Sequence, residues 1–441
     1  MMRRKGMLLT GIYLLLLLSA NSLQAQTKKL TLKAAIDSAV SNNEQVQLAK
    51  MDEAIAASNV KQTQAMFLPQ LGFSYTAMTT NNPLNAFGFK LQQQSITAAD
   101  FNPALLNNPG GTSDFMTKIQ LQQPLVNTDM LYQRKSAEKQ AELYRYKTTR
   151  TKEYIRFEVE QAYLQLQLAY DTKAVLEEAL HTASQLAKSA ADYYNQGLAP
   201  KSDLLNAELQ VTKATTDVAG VNSQIQNACD ALSLLMGTPG GVSYEIASGT
   251  DGVNNTTSAD SISMARSDFK AMETAISAYD LLIKSGKKSY LPKLNAFASY
   301  QLNDHTAFGF GSDAYLAGLQ LSWDIFKGNS TKNKIATQTL ERNKLAEQLH
   351  AERSQNELEL NKARRTLADA QYNITQQKAA VAQALEALRI LQNRYEQGLV
   401  KTTEVLTAQT QLSQQQLAQA RAVFSANMAT AYLQFLTATN Q

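Results

Sequence analysis

Two stretches of this chain, Leu125 to Gln196 and Asn329 to Gln397, contain neither glycine nor proline, the residues that most readily stop a helix. About 69 helical residues rising 1.5 Å each reach roughly 100 Å, far beyond a usual globular helix. Their apolar pattern has a period of 3.5. Alternate steps of four and three meet Ile155, Val159, Ala162, Leu166, Ala169, Lys173, Leu176, Leu180, Ala183, Ala187, Ala190 and Tyr194, with only Lys173 polar. After a break the seam resumes at Leu204, Ala207, Val211, Ala214, Val218, Val221, Ile225, Ala228, Leu232 and Leu235. A sustained seven-residue repeat predicts left-handed supercoiling of packed helices, and its alanines predict close approach. Glutamine, lysine, glutamate, asparagine and serine fill the remaining positions, so both flanks of a narrow seam are wet. That pattern suits the wall of a tunnel better than a solid bundle.

The chain is also written twice. Phe67-Leu68-Pro69-Gln70-Leu71 recurs as Tyr290-Leu291-Pro292-Lys293-Leu294 at an offset of 223, and Tyr194-Asn195-Gln196-Gly197-Leu198 recurs as Tyr395-Glu396-Gln397-Gly398-Leu399 at an offset of 201. Adding 201 to the seam recovers it in the second half, interrupted by Asn356, Gln377, Gln415 and Gln419. The extra residues of the first half fit Thr79 to Ser113, which reads as one long loop; the second-half loop, Asn303 to Asp313, is short. Residues 26–236 form the first repeat: a helix from Leu30 to Met66, strands over 70–78 and 114–125, a long helix to 196 and a helix over 201–236. A Gly/Ser/Thr/Asn-rich linker spans 237–262. The second repeat, 263–441, has a helix, strands over 293–301 and 314–326, a long helix to 397 and a helix over 401–437. Short helices stacked end to end match the long ones in length.

The four strand candidates alternate. Leu71, Phe73, Tyr75 and Ala77 share a face, as do Phe115, Thr117, Ile119, Leu121, Gln123 and Leu125. In the second repeat Leu294, Ala296, Ala298 and Tyr300 pair with Tyr315, Ala317, Leu319, Leu321, Trp323 and Ile325, leaving Phe297 off-pattern. Each run has the length and alternation of a strand in a membrane barrel, with Trp323 near one end and Phe115 and Tyr315 near the other as girdle candidates. Half-buried strands of a soluble sheet look similar. Open edges, however, are not tolerated in lipid, and four strands cannot close a barrel. Two copies give a filled barrel of eight; three give twelve strands and a channel. The fold class expected is mainly α: a long coiled-coil α-helical barrel with a small 12-stranded membrane β-barrel formed by a homotrimer.

Arg3, Arg4 and Lys5 precede an apolar run with five consecutive leucines, followed by small and polar residues to Gln26. This is the pattern of a signal peptide over 1–25. Its removal brings the net charge from +4 to about +1, which provides no electrostatic basis for nucleic-acid binding. Cys229 alone excludes an intramolecular disulfide framework and falls on a helical face, as a small core residue would. His181, His305 and His350 are scattered, and Gly309-Phe310-Gly311-Ser312 matches neither a phosphate loop nor a nucleophile elbow. No enzyme chemistry, cofactor or metal site is expected.

Leu-Pro before the first strand of each half, the Tyr-x-x-Gly-Leu turns at 194–198 and 395–399, Ala265-Arg266-Ser267-Asp268-Phe269, and Leu30-Thr31-Leu32-Lys33-Ala34-Ala35-Ile36 together resemble the TolC family of outer-membrane factors. The resemblance covers essentially all of the chain after the signal peptide. It implies a trimeric outer-membrane duct with a large periplasmic part, receiving cargo from an inner-membrane pump through a periplasmic adaptor. It also implies that the adaptor docks at the hairpin turns, here Gly197, Leu198, Gly398 and Leu399. The family's gate acid corresponds to Glu404, with Asp203 at the matching place in the first repeat, and its latch tyrosine to Tyr395. A second acid of the ring falls at Thr407 and the latch arginine at Val400, so this chain departs from the pattern at both. The competing reading is a non-conducting periplasmic scaffold or adaptor, which would carry a single hairpin rather than two.

Overall fold

The computed structural model describes residues 28–246 and 261–437; the expected signal peptide and most of the linker lie outside them. In chain order the elements are β1 (Lys28–Lys29), α1 (Leu32–Asn42), α2 (Glu44–Ala65), β2 (Gln70–Thr80), α3 (Pro83–Gln92), a 3-10 turn (Ala98–Phe101), α4 (Pro103–Asn107) and β3 (Thr112–Val126). Then follow α5 (Thr128–Asn195), α6 (Lys201–Leu235), β4 (Tyr244–Glu245), α7 (Ser267–Lys288), β5 (Lys293–Asp304), β6 (Ser312–Ser322), α8 (Ser330–Glu396) and α9 (Thr402–Thr437). The unbroken stretches fold as single helices of 68 and 67 residues. The chain divides into two compact units. Of the described residues, one comprises 28–50, 148–246, 261–266 and 352–437, the other 51–147 and 267–351.

In the first unit the seam is the core. Ile155, Val159, Leu166, Ala169, Ala183 and Ala190 are buried on α5, and Ala207, Val221, Ile225 and Leu232 on α6. The second repeat buries Leu360, Ala363, Ala370 and Leu388 on α8, and Val405, Leu412, Ala422, Ala426, Ala429, Leu433 and Leu436 on α9. Lys173 stays half-buried and reaches Glu177 at 3.6 Å, its stem covering the seam while its charge stays wet. Tyr194 departs from the seam reading: it is 39% exposed, and Tyr193 takes the inward place, as described below.

The helix expected from Leu30 to Met66 is two helices, because Asn43 interrupts it. The Asn43 Oδ1 accepts from the Gln45 amide (2.9 Å) and so caps α2, while its Nδ2 donates to the Leu235 carbonyl (2.9 Å) in the last turn of α6. The second repeat solves the same problem differently. Arg266, at the 223 offset from Asn43 and only 1% exposed, donates from Nη1 to the Leu436 carbonyl (3.0 Å), itself at the 201 offset from Leu235. Its Nη2 donates to the Asn356 Oδ1 (2.8 Å), which explains the first of the four polar interruptions of the second seam; the first repeat has buried Ile155 there. In both repeats a buried side chain satisfies a carbonyl left over at a helix C-terminus.

The linker contributes more than a tether. Tyr244 and Glu245 pair in parallel with Lys28 and Lys29. The Tyr244 carbonyl accepts from the Tyr170 hydroxyl (2.6 Å), and its amide donates to the Cys229 Sγ (3.4 Å). Cys229 is fully buried in this core, and burial pushes its thiol up.

In the second unit, β2, β3, β5 and β6 form an antiparallel sheet in that order. Register aligns Leu71, Leu121, Ala298 and Ala317, and likewise Phe73, Ile119, Tyr300 and Tyr315, across one apolar face. Phe297, the off-pattern residue, lies on the polar face over Gly318, where a Cβ would come within 2.9 Å of the ring. Pro124 has no amide to give the ladder, and the register to β5 shifts between Pro124 and Val126. β6 ends at Ser322, four residues earlier than expected, since its partner β5 starts at Lys293 and Pro292 before it cannot donate. The segment read as one loop holds helices instead. Asn82 and Asn102, each followed by proline, cap α3 and α4 through their side chains (3.2 Å to the Asn85 amide, 3.0 Å to the Ala104 amide). An asparagine cap with proline at the first helical position is a helix start rather than a turn.

Candidate functional site

The two hairpin turns close on the same backbone. At the end of α5 the Gly197 amide donates to the Tyr194 carbonyl and the Leu198 amide to Tyr193, at 2.9 and 2.8 Å; after α8 the Gly398 amide donates to Tyr395 and the Leu399 amide to Arg394, both at 2.9 Å. The glycine φ values are +74° and +72°. This is the double closure of a helix by a left-handed residue, and it leaves Leu198 (72% exposed) and Leu399 (62%) as apolar tips.

Beyond the turns the chemistry diverges. Lys401 caps α9, and its amide donates to the Glu404 Oε1 (3.3 Å), the reciprocal half of a capping box. Pro200 occupies the corresponding cap of α6. Having no amide, it cannot engage Asp203, which keeps its carboxylate free of that role. Glu404 and Thr407 are exposed on one face of α9, and the Thr407 hydroxyl donates to the Thr403 carbonyl (2.8 Å).

Tyr395 is 7% exposed, in a core with Leu186, Ala190, Ala207, Leu388, Val405, Leu406 and Leu412. Its ring meets Tyr193 edge-on (centroids 5.6 Å apart, 70° between planes), and its hydroxyl accepts from the buried Thr402 Oγ1 (3.2 Å). Burial pushes the Tyr395 phenol up, the Thr402 hydrogen bond lowers it in part, and Tyr193 and the Asp203 carboxylate add to the rise. The two repeats therefore meet here: the inner tyrosine of the first packs edge-on against the buried tyrosine of the second, within the field of the Asp203 carboxylate. Val400 packs on the same core, so the residue standing where the resemblance would place an arginine contributes apolar contact. Tyr193 and Thr402 were missed in the sequence. Strict alternation reaches Tyr194 by a step of four from Ala190; the inward residues instead run Ala183, Leu186, Ala190 and Tyr193, an extra step of three that shifts the seam near the helix end.

In the sheet unit, Phe115 is half-buried and stacks on Tyr75 (6.5 Å), which stacks on Phe308 (5.3 Å). Tyr315 pairs with Tyr300 toward the same loop end. Trp323 follows the last paired residue of β6 at the opposite end, 61% exposed, its Nε1 donating to the Tyr290 carbonyl (2.9 Å). The three girdle candidates thus fall at both margins of the apolar face. Among the described residues no helix is long and apolar enough to cross a membrane, and no group of three His, Cys, Asp or Glu is arranged to hold a metal ion.

Solved structures share this fold. CusC is 16% identical, with a TM-score of 0.77 and 94% of each chain covered. The Vibrio cholerae outer membrane protein VceC is 18% identical with a TM-score of 0.73, over 91% of this chain and 95% of that one. The Campylobacter jejuni outer membrane channel CmeC is 15% identical with a TM-score of 0.75, over 95% and 90%. No curated protein sequence matches significantly. The family model described as outer membrane efflux protein matches residues 35–238 and 260–441, one match for each repeat. The chain belongs to the outer membrane efflux protein family.

Proposed function

We propose that three copies of this chain form a duct through the outer membrane, the exit of a tripartite efflux or type I secretion system. The observation that carries this is the sheet: four strands with a continuous apolar face and two unpaired edges, β2 and β6, where Leu71, Phe73, Leu319 and Leu321 are 66–73% exposed. An open sheet edge in lipid leaves backbone groups without partners, at a cost of several kcal/mol each. Pairing β6 of one copy with β2 of the next removes every edge, and three copies give a barrel of twelve strands with room for a channel. On this reading Phe115, Tyr315 and Trp323 sit at the headgroup margins, the long helices reach into the periplasm, and Gly197, Leu198, Gly398 and Leu399 dock a periplasmic adaptor that connects to an inner-membrane pump.

Asp203, Tyr395, Glu404 and Thr407 then form the periplasmic constriction. Three Glu404 carboxylates around an axis favour cations, and the buried Tyr395 holds the tip closed. Two measurements test the reading together. The mature protein extracted in detergent should migrate as a trimer that dissociates on heating, and a monomer soluble without detergent would sink the proposal. In planar bilayers Glu404→Gln should lower cation preference; unchanged selectivity removes Glu404 from the constriction.

A further inference from the structure

We infer that the segment between β2 and β3 is a lid folded over the polar face of the sheet, which meets the same segment of two sister copies and forms a second, outer closure of the duct. The inference rests on the trimeric reading above.

The lid is docked by a buried polar network. At the end of α3, the Gln93 Nε2 donates to the Ser113 carbonyl (2.8 Å) and the Asp114 Oδ1 (3.0 Å) on β3. On β5 the Asn303 Nδ2 donates to the other Asp114 oxygen (2.9 Å). The Ser312 hydroxyl at the start of β6 shares its hydrogen between the Gln92 carbonyl (2.5 Å) and the Asn303 carbonyl (3.0 Å). Because β5 lies between β3 and β6, the end of α3 crosses above it. Asp114, Asn303 and Ser312 all belong to the polar face by register, and none is more than 4% exposed. A carboxylate is buried this completely only where its oxygens are satisfied, and the lid supplies one of the donors.

The opposite side of α3 carries a different message. Leu84, Gly88 and Leu91, spaced four and three apart, form a stripe pointing away from the sheet, with Leu84 80% and Leu91 54% exposed. In a barrel whose apolar face meets lipid, the polar face lines the lumen. The lid then lies inside the mouth with its stripe toward the axis. An apolar stripe facing a water-filled bore is costly unless covered, and threefold symmetry brings its own copies there. Three such stripes make a hydrophobic constriction of the kind that closes by dewetting.

The test uses the full mature chain. Leu91→Cys introduces a reactive thiol, and Cys229 does not compete because it is buried. A bifunctional maleimide should join Leu91→Cys protomers into covalent dimers. Leu84→Gln with Leu91→Gln, both at exposed positions, should raise single-channel conductance by at least about twofold. A protein that trimerises and conducts but does not crosslink refutes contact between lids; crosslinking with unchanged conductance refutes the closure. Wild-type protein that neither trimerises nor conducts overturns the duct reading itself.

Discussion

The two repeats trace the same backbone with different chemistry. Their turn glycines, seam positions and paired helix lengths correspond, yet wherever a polar group enters the packed interior they differ. Asn43 and Ile155 in one repeat correspond to Arg266 and Asn356 in the other. Pro200 with Asp203 corresponds to Lys401 with Glu404, and exposed Tyr194 to buried Tyr395. A helical lid of three short elements stands where the second repeat has a tight turn, in which Asp304 accepts from the Thr306 and Gly311 amides (2.8 and 2.9 Å). The seam and the helix stops dictate the backbone and tolerate little change. Polar pairs have several solutions, and after duplication each half settled on its own.

The largest expected effect lies at the helix ends. Arg266→Ala strips a charged donor from the Leu436 carbonyl and leaves Asn356 buried, a loss of about 2–4 kcal/mol. Asn43→Ala removes a neutral donor and a cap, about 1–2 kcal/mol. Guanidinium unfolding in detergent, followed by circular dichroism at one fixed protomer concentration, compares the two. Arg266→Asn combined with Asn356→Ile writes the first repeat's solution into the second. It should recover more than half of the Arg266→Ala loss; if it unfolds as readily as the single variant, the two arrangements are not interchangeable.

How far the sequence carries the fold follows from the same contrast. Helices are legible because heptad spacing is periodic and local: the absence of glycine and proline marks the rods, and Gly197 and Gly398 mark their ends. Strand alternation is legible too, but strand ends are not, since β6 stops where β5 gives way to Pro292, which has no amide to pair and lies 30 residues away. Asn82-Pro83 reads equally as turn or helix start until an amide is seen bonded to the asparagine. The candidate site was located through the repeated Gly-Leu turns. What escaped was Tyr193, because the seam shifts by one residue at Leu186 and leaves the strict heptad, and Arg266, whose Leu436 and Asn356 partners lie 170 and 90 residues away.

A smaller effect separates the tips. Tyr395→Phe removes the acceptor of the buried Thr402 hydroxyl, about 1 kcal/mol, while Tyr194→Phe should stay within about 0.5 kcal/mol of wild type, as at most exposed positions. On the proposed reading Tyr395→Phe also loosens the closed tip and raises channel open probability in bilayers, and Tyr194→Phe does neither. Equal effects would mean that the burial difference between the tips has no mechanical consequence.

The smallest effect concerns the loops and is read through pH. In the lid, Asp100 accepts from Lys90 (2.6 Å), from the Thr97 amide (2.7 Å) and from the Thr97 hydroxyl (2.8 Å). The Lys90 hydrogen bond, followed by those from Thr97, holds the Asp100 carboxyl at about 2 rather than 3.8. A lowered folded value means that the stabilisation is complete above the ordinary carboxylate value and is lost as pH falls through about 2. Lys90 is 40% exposed, so salt screens the pair and the effect is local. Pepsin works across this window. The 93–102 segment should resist cleavage at pH 4 and open near pH 2, whereas Asp100→Asn should be cut at both. Wild-type cleavage that is equal at the two pH values would show that the Asp100 turn does not hold the lid, leaving the buried Gln93, Asp114 and Asn303 contacts to do so alone.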